Sequence, residues 1–565
     1  MPGKVKWVVN PKPDPDLVSQ YVDELGLERA VVSLAMQRGF VEREELLHYL
    51  YPRLQDLSDP FKIPGTASAV KRILMAADEK EDVVLYGDYD VDGVSSIALL
   101  THILRAYGLK PRSFLPARLE DGYGLSIDGI ERGFEGKMPS LVIAADCGTN
   151  SRDEAKWLAE QGIDLIILDH HEPSPDGTAE CEALVNPKLG DKYHYLCTGG
   201  IVFKIGHALL KTRPVADFDL KEYMDLVALA TIADIVPLVD ENRIFAKRGL
   251  AQLDRTIHPG LVALKTVASV GTTAQSSDVG FRLGPRLNAA GRLESADASL
   301  NLLLCNDAEK SQELAEDLDQ RNRERQDLEL KTREEAERMI EDLPSSERSH
   351  GIIVGARGWH PGVVGIVASR ISKYYHRPTF IIGFDSDGVG KGSGRSVPGV
   401  SLVEALNASG DLIINGGGHE MAAGVTLHED NLDAFRQAFS ENVASQVDRA
   451  ELVPKLNIDT DITLGELTLD LLESYELLRP FGSNNQQPLF MARNLRPANE
   501  PRVVKDKHLR FQFEQNGVIR DAIYFNSAQL DIPKPPWDVA FHIDRNEYRG
   551  FPQLSVYVQA IRKAG

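Results

Sequence analysis

Three aspartates at alternate positions, Asp88, Asp90 and Asp92, followed by Gly93 in "VVLYGDYDVDGVSSIALL" (83–100), gather carboxylates on one short segment. Such a pattern can hold a metal ion, and the flanking residues decide which kind of site it is. The opening matches the D-x-D-x-D-G of a calcium-binding EF-hand loop, in which alternate carboxylates surround the ion and the glycine makes the turn. The match stops there. The twelfth position, where a bidentate Glu closes such a loop, is Leu99, and Val83 to Tyr86 read as a buried strand instead of an entering helix. From Val94 to Tyr107 apolar residues recur at helical spacing. The aspartates therefore belong on a strand-to-helix turn, at the edge where parallel α/β sheets bind ligands. A polar strand cap is the plainer alternative.

Three later points strengthen the metal reading. "LVIAADCG" ends a strand with Asp146, "DLIILDHH" ends another with Asp169, His170 and His171, and "LATIADIVPL" places Asp234 just before a helix-stopping proline. One aspartate after a strand is commonly a helix N-cap, and a His-His pair is commonly a polar turn. Four such places in one domain point to a site. Carboxylates with a few imidazoles suit Mn²⁺ or Mg²⁺ better than Zn²⁺ with thiolate ligands. About five carboxylates suffice for two divalent ions, one activating water and one stabilising a leaving oxygen, which is the chemistry of phosphoester hydrolysis.

The elements that must position these residues follow from the rest of the chain. Its 565 residues predict roughly three or four domains at about 150 residues each. Residues 1–65 are rich in Pro and charge, with helical patterning at Val41 to Leu50, and read as a small N-terminal helical extension. Over 66–305, apolar runs at 83, 141 and 164 alternate with helical segments, the rhythm of a parallel sheet with crossover helices. Residues 306–345 lack Gly and Pro until Pro344 and read as one long connecting helix. Runs at 351 and 379 mark a second α/β domain over 346–450, and period-two alternation in "HLRFQFE" and "QLSVYVQA" marks an all-β domain over 451–565. The expected fold class is thus α/β: two α/β domains joined by a long helix and followed by a β-barrel.

Composition removes several classes of function. The four cysteines, Cys147, Cys181, Cys197 and Cys305, form no C-x-x-C pair, so neither a zinc knuckle nor a disulfide framework is indicated, and a reducing cytoplasm fits. The N-terminus carries no apolar signal core and no run reaches the ~18 apolar residues of a membrane span. A formal net charge of −21 argues against coating duplex DNA by bulk electrostatics, while leaving room for a local basic channel.

"GDYDVDG", "AADCG", "LDHH" and "TIADIVPL", in this order and on these elements, resemble motifs I to IV of the DHH phosphoesterase superfamily. "RLEDGYGLS", "GFRLGPRLNAAGRL", "WHPGVVGIVASRI", "KGSGRS" and "NGGGHEMAAG" are similar to its RecJ branch, the single-strand-specific DNA exonucleases, with a DHHA1 second domain. "LLRPFGSNNQQPLF" and "KDKHLRFQF" look like that branch's connecting segment and OB-fold. The middle residue of the second motif, Cys147, is a departure, since relatives often carry Asn there.

The resemblance implies a metal-dependent 5′-to-3′ exonuclease on single-stranded DNA that releases 5′-mononucleotides in repair and recombination, with two Mn²⁺ or Mg²⁺ ions. Asp88 and Asp90 would serve mainly the first ion and Asp92 the second, a split the residues leave open. Asp146 would bridge both, His170 and Asp234 would complete the second site, and His171 would stabilise the scissile phosphate or handle a proton. Asp169 would orient an imidazole. Single-stranded DNA is the expected partner, with a single-stranded-DNA-binding protein and a helicase as candidate protein partners, no membrane, and a monomeric state. The alternatives are a DHH phosphodiesterase acting on short oligonucleotides or cyclic dinucleotides, which would not need the β-domain, and a catalytically silent DNA-binding scaffold, which would have lost the carboxylates.

The glycine-rich segments "GSGRS" and "NGGGHEMAAG" lack a P-loop lysine, and glycines that simply turn the chain are the alternative to phosphate approach. On the resemblance, His360, Ser393, Arg395 and His419 are candidates for gripping the strand near the cut, and Arg118, Arg286 and Asn288 for phosphate contacts. In the β-domain, Arg493, Arg496, Arg502, Lys505, Lys507 and Arg510 form a basic run suited to tracking a backbone. Phe511 and Phe513, alternating with polar residues, are expected in the core.

Overall fold

The computed structural model describes residues 5–116, 124–293, 295–548 and 551–565. The chain divides into two compact units, one made of residues 7–288, 296–315 and 457–565, the other chiefly of residues 316–456.

The larger unit is built on a five-stranded sheet: β1 (Val83–Gly87), β2 (Arg112–Phe114), β3 (Leu141–Ala145), β4 (Asp164–Leu168) and β5 (Ala183–Val185), in the order β2-β1-β3-β4-β5. Every pair is parallel. β1 and β3 are buried along their whole length, which is why they read as unbroken apolar runs: a parallel sheet is covered on both faces. Helices α1 (Val91–Ala106), α2 (Thr198–Thr212) and α3 (Met224–Ala233) pack with one another beside it. α3 is mostly apolar, and all of Met224–Thr231 is buried. The aspartates at the ends of β1, β3 and β4 therefore lie at one edge of the sheet.

Three short helices, Pro15–Leu25, Arg29–Gln37 and Arg43–Leu50, make up the N-terminal extension. Their apolar faces do not form a separate core. Val18, Tyr21, Val31, Leu34, Leu46 and Leu50 share one cluster with Leu471, Tyr475, Phe490, Phe511, Phe513 and Trp537 of the C-terminal segment. Arg243 reinforces this junction, donating from the buried guanidinium to the carbonyls of Tyr49, Leu477, Leu478 and Arg479.

A 35-residue helix, α4 (Ala308–Asp342), leads into the smaller unit. That unit carries β6 (Ile352–Arg357), α5 (Pro361–Tyr375), β7 (Thr379–Phe384), β8 (Val389–Arg395), β9 (Asn415–His419) and β10 (Ala422–His428). The sheet order is β9-β10-β8-β7-β6, with only β6–β7 parallel. The glycine-rich segments, for which simple turns were the alternative, lie largely in strands. A Cβ at Gly390, Gly392 or Gly394 would overlap the side chains of Phe384, Ile382 and Phe380, so these glycines let the aromatic core lie flat against β8.

The C-terminal domain closes on itself. β11 (Phe490–Pro497), β12 (His508–Gln515), β13 (Val518–Tyr524), β14 (Trp537–Tyr548) and β15 (Phe551–Lys563) run in the order β11-β14-β15-β13-β12, and β12 pairs back onto β11. Five strands thus make a closed barrel, with the β13–β15 pair parallel. Phe511 and Phe513 stack inside it, their ring centroids 5.0 Å apart, as period-two alternation predicts. Among the described residues no helix is long and apolar enough to cross a membrane.

Candidate metal centre

The turn after β1 is organised by its own carboxylates. Asp90 caps α1, its Oδ1 accepting from the backbone N–H of Asp92 at 2.9 Å and of Gly93 at 3.2 Å. This is ordinary N-cap chemistry, and it fixes the first helical turn so that Asp92 points inward. A helix following a strand in a parallel sheet is inconsistent with an EF-hand, as the missing Glu predicts.

Asp92 is buried, and it is held by an element far along the chain. The first two N–H groups of α2 meet it: Thr198 N lies 2.8 Å from Oδ2 and Gly199 N 2.7 Å from Oδ1, with Ser96 Oγ 3.3 Å from Oδ1. A helix N-terminus offers unpaired N–H groups and a favourable dipole to an anion. Gly199 cannot be larger, because a Cβ there would overlap Ala230 of α3.

Asp146 follows β3 in a left-handed conformation, φ 67°, its N–H tied to Leu168 O at 2.9 Å. Its Oδ1 accepts from the Thr198 hydroxyl at 2.9 Å. Asp169 follows β4 and turns its buried carboxylate back on the loop, accepting from the N–H groups of Thr149, His170 and His171 and lying 2.7 Å from His171 Nδ1. Asn186 completes the support by donating to Thr149 Oγ1 and His171 O, both at 2.9 Å.

The carboxylates converge on one imidazole nitrogen. His170 Nε2 is 3.4 Å from Asp146 Oδ1, 3.6 Å from Asp234 Oδ2 and 3.8 Å from Asp92 Oδ2. Asp234, at the end of α3, has a buried Oδ2 with no hydrogen-bond partner among the described residues. Three sets have ligand atoms mutually within 4.8 Å: Asp88, Asp90 and Asp146; Asp92, His170 and Asp234; Asp146, His170 and His171.

The charge balance shows what this arrangement lacks. Burial, followed by repulsion from Asp92 and Asp90, raises the Asp234 carboxyl to about 9. Burial and the neighbouring carboxylates push Asp146 and Asp90 up as well. Burial lowers His170 below the usual imidazole range despite the pull of Asp92, which keeps its nitrogen available as a ligand. His171 goes the other way: burial disfavours its charge, but the hydrogen bond and the charge of Asp169 overcome this and raise it. Asp169 is correspondingly lowered, its own burial being outweighed by the bond to His171. A buried carboxylate oxygen that accepts no hydrogen bond among the described residues, beside several more carboxylates and an imidazole, fits a divalent cation taking oxygen and nitrogen ligands.

The other expected residues are distributed as follows. Arg286 donates to Arg282 O at 2.7 Å on the helix Gly284–Leu293, which also carries Asn288. In the smaller unit, Arg395 Nη1 donates to Ser393 Oγ at 3.0 Å, and Gly365 of α5 brings that helix against both. His360 caps α5, its Nδ1 accepting from Gly362 N at 3.0 Å. His419 on β9 and Arg395 on β8 both pair with Ala422 of the intervening β10. Arg118 lies outside the described residues. Cys147 is buried below the site, with Sγ 3.7 Å from Ala145 O.

Thr198, Gly199, Thr149 and Asn186 escaped the sequence reading. A signal existed for the first two, since "CTGG" opens an apolar helical run and small residues there leave N–H groups accessible.

Comparison with known proteins agrees with this architecture. Family profiles match in chain order: the DHH family N-terminal domain over residues 82–231, the DHHA1 domain over 349–445 and the RecJ OB domain over 458–560. The single-stranded-DNA-specific exonuclease RecJ of Bacillus subtilis is 34% identical, covering 99% of this chain and 71% of that protein. Its namesake from Haemophilus influenzae is 35% identical over 90% of this chain and 92% of its own. The crystal structure of Thermus thermophilus RecJ in complex with Mn²⁺ aligns with a TM-score of 0.85 at 28% identity, covering 100% of this chain and 80% of that one. By sequence, domain order and fold, this chain belongs to the RecJ family of the DHH superfamily.

Proposed function

We propose that this protein is a Mn²⁺- or Mg²⁺-dependent exonuclease that degrades single-stranded DNA 5′ to 3′, releasing 5′-mononucleotides in repair and recombination. The observation that carries the reading is the convergence of Asp92, Asp146 and Asp234 on His170, with the Asp234 Oδ2 buried and accepting no hydrogen bond among the described residues. Two bound divalent ions would supply an activated water and neutralise charge on the phosphate and the departing 3′-oxygen. Asp88 and Asp90 are proposed to hold the first ion, Asp92, His170 and Asp234 the second, and Asp146 both. Thr198 and Gly199 keep Asp92 and Asp146 in place. Asp169 holds His171 by Nδ1 and favours its protonated form, so the half-exposed ring would present Nε2 to the scissile phosphate, where it can stabilise charge or handle a proton.

The segment 66–305 is proposed as the catalytic domain, 306–345 as the connecting helix, 346–450 as the strand-gripping domain and 451–565 as the connecting segment and OB-fold, after an extension at 1–65. Arg395, Ser393, His360 and His419 would grip the strand, and Arg286, Asn288 and Arg118 would contact phosphates. Arginine suits this work because its planar fork matches phosphate oxygens in pairs. The closed barrel supports a long nucleic-acid substrate over a short oligonucleotide. A cytoplasmic monomer working beside a single-stranded-DNA-binding protein and a helicase completes the proposal, and the absence of any disulfide among the four cysteines accords with that compartment.

The test is to incubate the protein with Mn²⁺ and end-labelled single-stranded DNA, alongside folded Asp146→Ala. Loss of label from the 5′ end by the wild type and none by the variant is expected. Turnover by folded Asp146→Ala near the wild-type rate refutes the assignment.

A further inference from the structure

Two neighbouring strands of the larger unit end side by side. Leu168 of β4 pairs with Val185 of β5 in parallel register, so Asp169–His171 and Asn186–Lys188 leave the sheet together, at the edge that carries the carboxylates. Asn186 joins the two segments, its Nδ2 donating to His171 O at 2.9 Å and its Oδ1 accepting from Lys188 N at 2.9 Å. Lys188 therefore starts from a fixed turn, Pro187–Leu189. Its Nζ lies 2.7 Å from Oε1 of Glu172, the residue after His171. The positive charge also reaches the cluster: burial is the first influence on both Asp234, which it raises, and His170, which it lowers, and Lys188 acts downward on each.

Stability does not account for this placement. The Lys188 side chain is 20% exposed and that of Glu172 67%, and an ion pair with so exposed a partner contributes little. A cation beside a metal site also weakens the site for metal, because like charges repel. That disadvantage reverses when an anion joins. The carboxylates of Asp88, Asp90, Asp92, Asp146 and Asp234 outweigh two divalent ions in charge, and each DNA phosphate adds to the excess. A cation beyond His171 offsets it.

We propose that Lys188 is a further phosphate-binding residue, held in waiting by Glu172 and passing its ammonium to a non-bridging oxygen of the DNA phosphate that enters the carboxylate cluster. The inference rests on the exonuclease reading and deepens it. Lysine suits such an exchange, since its ammonium is a compact charge on a flexible stem with three donors.

The experiment uses the full chain with Mn²⁺ and a single strand whose 5′-terminal linkage carries CH₂ in place of the 3′-oxygen, which keeps the phosphate charge and cannot be cut. Fluorescence anisotropy at several salt concentrations reads affinity and its salt slope. Lys188→Ala should bind about 10- to 100-fold more weakly than wild type and lose about 0.7 from the log–log slope, the share of one phosphate contact on a single strand. Lys188→Arg should restore most of both. Isothermal titration with Mn²⁺ in the absence of DNA separates this role from a structural one: Lys188→Ala should bind the metal as tightly as wild type or more so, because a nearby positive charge is gone. Weaker Mn²⁺ binding, or unchanged DNA affinity and slope, would overturn the inference.

Glu172→Gln gives an independent arm. Released from its partner, Lys188 should hold DNA more tightly, so this substitution should raise affinity in the wild-type background and change it by less than about twofold in Lys188→Ala. An equal gain in both backgrounds would mean that Glu172 simply repels DNA and that Lys188 makes no exchange, which counts against the inference. Failure of the wild type to bind the strand would sink the exonuclease reading as well, whereas tight binding indifferent to Lys188 would sink this inference alone.

Discussion

Asp234 shows how a single side chain can carry both a cost to folding and a role in binding. Its carboxyl is raised to about 9 by burial and by Asp92 and Asp90, far above the ~3.9 of a free aspartate. A group raised on folding stabilises fully below its unfolded value, and that contribution is lost as pH rises through the folded one. Asp146 and Asp90 shift in the same direction. The metal-free protein should therefore lose stability steadily from about pH 4 to about pH 9, and the gain in melting temperature on adding Mn²⁺ should grow over that range, because cation binding displaces protons. Differential scanning fluorimetry at several pH values checks this, and a Mn²⁺ shift independent of pH would contradict it. Asp234→Asn should abolish the Mn²⁺ shift and hydrolysis together, while the metal-free protein at pH 8 melts no lower than wild type. Asp88, Asp146 and Asp169 could be found in the sequence because they follow unmistakable buried strands, and Asp234 because it stands just before a helix-stopping proline. Their charge states could not, since these depend on how many of them share one small volume.

At the scale of elements, the decisive contact is the N-terminus of α2 against Asp92 and Asp146. Thr198→Val removes the hydroxyl donated to Asp146 and keeps the volume. Loss of a hydrogen bond that orients a metal ligand should weaken Mn²⁺ affinity by about 10- to 100-fold, with Thr198→Ser restoring most of it; isothermal titration of the metal-free protein reads both. Gly199→Ala should cost about 1–3 kcal/mol of stability through overlap with Ala230, measured by urea unfolding. Helix and strand periodicity placed α1, α4 and several strands, and a proline marked the end of α3, while α2 and α5 were not singled out. It could not say which helix end faces which carboxylate, because that depends on tertiary approach between residues about a hundred positions apart. The glycines of β8 were harder still: alternate glycines erase the apolar signal of a strand, and the side chains of Phe384, Ile382 and Phe380 beneath them explain the pattern.

Over the whole molecule, the N-terminal helices and the C-terminal barrel complete a single apolar core. Residues more than 400 positions apart meet there, since the Tyr49 hydroxyl and Arg38 both donate to Asn485 Oδ1. The Arg243 guanidinium stacks 4.1 Å from the centre of the same Tyr49 ring. Arg243→Ala would strand several buried carbonyls and should destabilise the protein by roughly 3–5 kcal/mol, measurable by urea unfolding. Cutting the chain after residue 450 should do more than remove a DNA-holding barrel: the fragment should bind a hydrophobic dye and expose residues 15–50 to protease. No local sequence pattern announces such a junction, since each half shows only an ordinary amphipathic face. The shared core also sets a timetable for synthesis. At about 5–20 residues per second on the ribosome, the first helices emerge roughly 20 to 90 seconds before the barrel that covers them, so every newly made chain passes through an interval with its leading end uncovered and open to capture by chaperones.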